Sequence, residues 1–153
     1  MIIEIWTKER YAKNEEAAFL ARLARAGLKA DAARLSRLYR VEADFSEAEY
    51  SRIKSGLLTD KITELSSLAP RKTALKKAYR VEVWLKDSVT DVVGESVKEA
   101  VAHVVGRLPE AVRFGRAYYV SCASGLKLKE AVSKTLVNEV VNKFKIGKTK
   151  TGR

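Results

Sequence analysis

The chain has 153 residues, 46% hydrophobic and 32% charged, with a net charge of +11; that balance is ordinary for a globular protein and argues against disorder outside the ends. No apolar run approaches the roughly 20 residues of a bilayer-spanning helix, and the first residues alternate like a strand instead of forming a signal-peptide core, so a cytoplasmic protein without a membrane segment is expected. The one cysteine, Cys122, can neither close an internal disulfide nor build a cysteine-rich metal site.

Ile3 and Ile5 alternate with Glu4 and Trp6, so Ile2 to Thr7 reads as a strand. Asn14 is placed to cap a helix that carries Glu15 and Glu16 in its first turn, with Phe19, Leu20 and Leu23 on one face. Gly27 ends it and Leu28 covers the end, as in a Schellman turn. Ala33 to Ala43 is the second strand, with Leu35, Arg37, Tyr39 and Val41 on one side and Arg34, Ser36, Leu38 and Arg40 on the other. Ser46 and Glu49 form a capping box inside a Phe45/Tyr50 staple, and Tyr50, Ile53 and Leu57 give that second helix its apolar stripe. Asp60 to Leu68 reads as a third strand, with Ile62 and Leu68 on one side.

Ala69 to Lys77, APRKTALKK, breaks the pattern and reads as a basic linker. Beyond it the plan recurs. The expected elements are a strand Tyr79 to Lys86, then a helix with Val93, Val97, Ala100, Val101, Val104 and Val105 on one face, ended by Gly106 and Pro109. A strand Val112 to Cys122, a helix carrying Leu128, Ala131, Val132, Thr135 and Leu136, and a strand Val140 to Ile146 complete it. The final GKTKTGR is expected to be a mobile basic tail.

The recurrence is a tandem duplication. VRFGRAYYV (Val112 to Val120) restates ARLSRLYRV (Ala33 to Val41) at a shift of 79, matching Arg34 with Arg113, Arg37 with Arg116 and Tyr39 with Tyr118. At 78, IEIWTK (Ile3 to Lys8) falls on VEVWLK (Val81 to Lys86), and SGLLTDKITELSSL (Ser55 to Leu68) on SKTLVNEVVNKFKI (Ser133 to Ile146). The expected organisation is a first unit over 1–68, a linker over 69–77, a second unit over 78–146 and a tail over 147–153. Units this small enclose little core alone, so the expected fold class is α+β, two β-α-β-α-β units packed as an intramolecular pseudo-dimer.

The charge divides into +4 for residues 1–76 and +7 for residues 77–153. It favours anionic partners without choosing among nucleic acid, acidic protein and phosphorylated metabolite. Catalytic machinery is not legible. GKT at Gly147 to Thr149 lacks the preceding glycine and following helix of a phosphate loop. His103 is the only histidine and has no partner at metal-ligand spacing. Cys122 reads as a half-buried cysteine on the Tyr118 face of its strand with no evident base. A binding or assembly role is the expectation.

The second unit, from about Tyr79 to Ile146, resembles PurS, the small subunit of phosphoribosylformylglycinamidine synthase, with a ferredoxin-like look to the unit. The residues that carry the resemblance are Val89, Asp91 and Gly94 of a V-x-D-x-x-G turn, Val112, Arg113, Gly115 and Arg116 of a V-R-x-G-[KR] strand, and Leu136, Asn138 and Val140 of an L-x-N-x-V segment. In the first unit YAKNEEAA supplies no such turn and Ser36 stands where the second has Gly115. The whole resembles a fused PurS dimer, as in the N-terminal domain of the long single-chain enzyme. The resemblance implies a subunit with no active site or cofactor of its own, bridging a PurQ glutaminase and an ATP-using PurL synthetase and helping ammonia pass between them. It also admits further pairing of two such chains. ATP and glutamine would be used by the partners.

Candidate residues for contact with partners or between copies are Arg34, Arg37, Tyr39, Asp91, Gly94, Arg113, Arg116 and Tyr118. The bland alternatives are arginine stems packed on the sheet with solvated heads, and a simple helix cap at Asp91. The competing class is a small basic RNA-binding α+β protein, since RFGRAYYV faintly resembles the base-stacking strand of an RRM. Against it, Tyr118 and Tyr119 alternate to opposite faces. An enzyme acting alone is a third, weaker alternative.

Overall fold

A computed structural model of the chain describes residues 1–149. Six strands, β1 (Ile2–Thr7), β2 (Ala32–Glu42), β3 (Glu64–Ser67), β4 (Ala78–Leu85), β5 (Ala111–Ser121) and β6 (Asn142–Lys148), form one antiparallel sheet in the order β3-β1-β2-β5-β4-β6. The helices are α1 (Glu9–Arg25), α2 (Glu47–Arg52), which runs on as a π-turn over Ile53–Leu58, α3 (Val92–Val105) and α4 (Gly125–Thr135). The fold is α+β, and its two halves each contribute three adjacent strands.

Local chemistry accounts for most element ends. The Ser46/Glu49 capping box is complete, and the Phe45 and Tyr50 rings lie 5.6 Å apart across it. Helix α1 closes on Gly27 at φ 93, with the Leu28 N–H donating to Leu23 O at 2.9 Å and the Gly27 N–H to Ala24 O at 3.0 Å; these two bonds make the Schellman turn.

Several expectations are corrected. Helix α1 begins at Glu9, with Lys8 as N-cap, so Asn14 is an interior residue. The Lys8 N–H donates to Thr63 O at 2.8 Å, so the pairing of β1 with β3 reaches Lys8 and the helix begins directly after it. The third strand is confined to Glu64–Ser67, since Asp60 Oδ1 accepts the N–H groups of Ile62 at 2.9 Å and Thr63 at 3.3 Å and bends the chain. Ile62 is therefore 74% exposed. The same turn recurs 78 residues later, where Asn138 Oδ1 accepts Val140 N–H at 3.1 Å and delays β6 to Asn142. Strand β6 runs through Gly147 and Lys148, two residues into the stretch expected as a tail; the last four residues of that tail lie outside the described residues. On α3 only Gly94 and Val101 are buried, and Val93 is exposed.

The helices all cover one face of the sheet, and they do so reciprocally. Phe19 and Leu23 of α1 pack with Leu128, Ala131 and Val132 of α4 over Val81, Val83, Tyr118 and Val120. Val101 of α3 packs with Tyr50 and Ile53 over Ile3, Ile5, Tyr39 and Val41. Each unit's first helix thus completes the core over the other unit's strands. The opposite face carries a smaller cluster of Leu38, Trp84, Ala117 and Tyr119.

Candidate functional site

Strands β2 and β5 pair over eleven positions, from Ala32 opposite Ser121 to Glu42 opposite Ala111, and Arg37 stands opposite Arg116. These arginines are counterparts in the repeat, so an approximate twofold axis passes between them. Both have the parity of the helix-covered face. Two aromatic contacts join the copies on either side of the axis: Tyr39 to Phe114 at 5.3 Å and Phe19 to Tyr118 at 4.8 Å between ring centres.

Like charges directly opposite each other repel, and the two copies handle this differently. Arg37 is held by Glu64, with contacts of 2.5 and 3.4 Å to its two carboxylate oxygens. The residue 78 positions on is Asn142, and among the described residues Arg116 has no carboxylate partner. Arg116 is exposed and lies 5.6 Å from the Phe114 ring centre. It lines two cavities that are related by the repeat. One, of about 160 Å³, includes Trp6, Glu15, Arg37 and Tyr118. The other, of about 370 Å³, includes Arg22, Trp84, Tyr118 and Asn142.

Burial pushes the Glu64 carboxyl up, but the hydrogen bonds from Arg37 and from the Asp60 N–H outweigh it and hold the group below its ordinary value of 4.5. A depressed carboxyl contributes stability above its unfolded value and loses it as pH falls through the lower folded value. Glu64→Gln should therefore cost up to about 1 kcal/mol at neutral pH, because Arg37 is partly exposed. Urea titrations should show the gap between variant and wild type closing as the pH is taken well below 4.5; a gap independent of pH would refute this role.

Asp91 and Gly94 are buried and join α3 to β5. Asp91 accepts the Gly94 N–H at 2.8 Å with one oxygen and the Phe114 N–H at 2.7 Å with the other. A Cβ on Gly94 would stand 2.3 Å from Val112 O, so the glycine is what admits the helix to the strand. Arg113 donates to the carbonyls of Leu85 at 3.1 Å and Lys86 at 3.0 Å. Arg34 donates to Ala33 O at 2.8 Å and lies 3.6 Å from Glu16. These four residues act within their own units, whereas Arg37, Tyr39, Arg116 and Tyr118 meet at the axis.

One polar centre was not singled out by the sequence. Glu4 is 1% exposed on the open face of the sheet, where it accepts from Arg80 at 3.0 and 3.1 Å, Tyr119 Oη at 2.7 Å and the Arg71 N–H at 3.0 Å. Arg80 also donates to Tyr119 Oη and to Glu82, and the Arg71 guanidinium stacks on Trp6 at 4.9 Å. Burial and the bond to Glu4 raise the Tyr119 hydroxyl above its ordinary value. The signal available was the matching of Glu4 with Glu82 inside apolar strands.

Cys122 and His103 lie apart from both of these centres. Cys122 is buried, which raises its thiol above the ordinary value, and His103 is exposed. Among the described residues no cluster of three His, Cys, Asp or Glu side chains could hold a metal ion, and no helix is long and apolar enough to cross a membrane. Tyr118 and Tyr119 are both buried, on opposite faces, so neither offers a ring for base stacking.

No curated protein matches the chain. Residues 78–150 match the family model described as PurS, phosphoribosylformylglycinamidine (FGAM) synthase, which gives the chain a role in that synthase and so in purine biosynthesis. The match spans β4 to β6, with the Asp91–Gly94 turn, the Arg113–Arg116 strand and the Asn138 turn inside it. The second half of this chain is a PurS-family unit, joined head to tail with a diverged copy of itself in a fused pseudo-dimer.

Proposed function

We propose that this chain is the non-catalytic small subunit of phosphoribosylformylglycinamidine synthase, bridging a PurQ glutaminase and a PurL synthetase and assisting ammonia transfer between them. The observation that carries the reading is the PurS match over residues 78–150. The reciprocal packing of the helices supports it, because a fused pair replaces a two-chain assembly with one chain whose halves differ. In this reading Arg37, Tyr39 and Tyr118 hold the copies together, Arg34, Asp91, Gly94 and Arg113 shape each unit, and Arg116 faces outwards. The site of action would be the cytoplasm, with ATP and glutamine consumed by the partners.

The test is reconstitution with the PurL and PurQ proteins of the same source. Adding this chain should raise glutamine-dependent synthesis several-fold while leaving ammonia-dependent synthesis nearly unchanged. Equal rates with and without it in the glutamine assay would reject the assignment.

A further inference from the structure

We infer that the larger of the two repeat-related cavities is a carboxylate-binding site, and that only the second unit has kept it open. The first unit supplies the comparison. There the carboxylate of Glu64 lies 2.5 Å from the Arg37 guanidinium while its other oxygen accepts the Asp60 N–H at 2.9 Å. In the second unit the corresponding N–H, from Asn138, is taken by Asn142 Oδ1 at 3.0 Å. The amide thus reproduces the turn bond and leaves Arg116 without the anion that its counterpart carries.

The space differs in the same sense. The first cavity, about 160 Å³, has Glu15 in its wall. The second, about 370 Å³, has Arg22 and Arg116 in its wall and, among the described residues, no carboxylate. Arg22 also lines an adjoining open cavity with Arg25 and Lys134, which adds positive potential at the mouth. The planar guanidinium of arginine suits a two-oxygen acceptor, and Glu64 on Arg37 shows that geometry in this very fold. The carboxylate could be a small free molecule or the acidic side chain of a protein, since both present the same group. This inference does not depend on the assignment to the synthase.

The experiment is a titration of the intact chain with glutamate, and separately with a blocked short peptide whose only carboxylates are aspartate and glutamate side chains. The backbone amide resonances of Phe114 to Arg116 and of Asn142 are followed. Saturable shifts with glutamate alone assign the site to a small molecule, and shifts with the peptide alone assign it to an acidic protein; either supports the inference when Asn142→Glu weakens binding at least about tenfold, as expected for a lost charged hydrogen bond. Glu64 shows that a glutamate at this turn position keeps the fold. Absence of saturable shifts with either ligand, or shifts that persist unchanged in Asn142→Glu, would overturn the inference.

Discussion

Replacing Gly94 by alanine is expected to destabilise the chain by about 3 kcal/mol, the upper part of the range for overpacking a closed contact. The new Cβ would lie 2.3 Å from Val112 O and 2.8 Å from the Asp91 carboxylate. The first of these is backbone in a paired strand and has no rotamer with which to yield. Relief requires α3 to withdraw from β5. Asp91 then cannot reach both the Gly94 and Phe114 N–H groups, which it bonds at 2.8 and 2.7 Å, and a buried donor left unpaired costs about 1–3 kcal/mol. Because α3 also covers Ile3, Ile5 and Tyr39 of the first unit, the damage should appear in both halves. Gly56 is the internal control: nothing lies within 4 Å of its Cβ position, so Gly56→Ala should stay within about 1 kcal/mol of wild type. Urea unfolding of the two variants decides the matter. Equal midpoints for Gly94→Ala and wild type would show that the close approach is not needed.

The same contact shows why much of this architecture could be read from the residues. A V-x-D-x-x-G turn needs the aspartate to cap and the glycine to admit a strand, so those residue types at that spacing specify one local geometry. The capping box at Ser46 and the Schellman turn at Gly27 are legible for the same reason: each is a short-range bond between named groups. Asn14 has the chemistry of a cap but no chain break beside it, whereas α1 starts where the pairing of β1 with β3 ends, at the bond from Lys8 to Thr63, 55 residues away. Periodicity puts Ile62 on the side of Leu68 and Val93 on the face of Val101, yet both are exposed. Periodicity cannot say where an Asx turn cuts a strand short or which helical positions a distant helix covers.

The axis at Arg37 and Arg116 lay between these extremes. The repeat shift named both residues, but only the strand register puts them opposite one another. Divergence between the copies then has a physical reading. Gly115 is required because the Trp84 ring would lie 2.5 Å from a Cβ there, with Arg40 stacked 4.5 Å from that ring. In the first unit Trp6 is instead stacked by Arg71 from the linker. Arg71 also donates to Leu35 O at 3.0 Å and to Ser36 Oγ at 3.5 Å, at the position where the other copy has Gly115. The linker therefore substitutes on one side for a contact that strand residues make on the other.

The second large effect is expected at Glu4. Glu4→Ala should cost about 3–5 kcal/mol, because it leaves the Arg80 guanidinium partly buried without its main counterion. The side chains of Glu4 and Arg80 are 1% and 17% exposed, so water can replace little of what is lost. Glu82, 3.3 Å from Arg80 Nε, keeps a partial hold, and Glu4→Gln, which retains acceptor atoms, should cost less than alanine. The pair itself need not be a net stabiliser. Replacing Glu4, Arg80 and Tyr119 together by Leu, Leu and Phe should recover much of the loss, since a packed apolar substitute avoids desolvating two charges. Glu4 belongs to the first unit, Arg71, whose N–H it accepts, to the linker, and Arg80 and Tyr119 to the second unit, so Glu4→Ala should shift one cooperative unfolding transition rather than split it. Calorimetry distinguishes the outcomes. Two separated transitions would mean that the units fold independently, and a loss below about 1 kcal/mol, the range of exposed pairs, would mean that this centre does not join them.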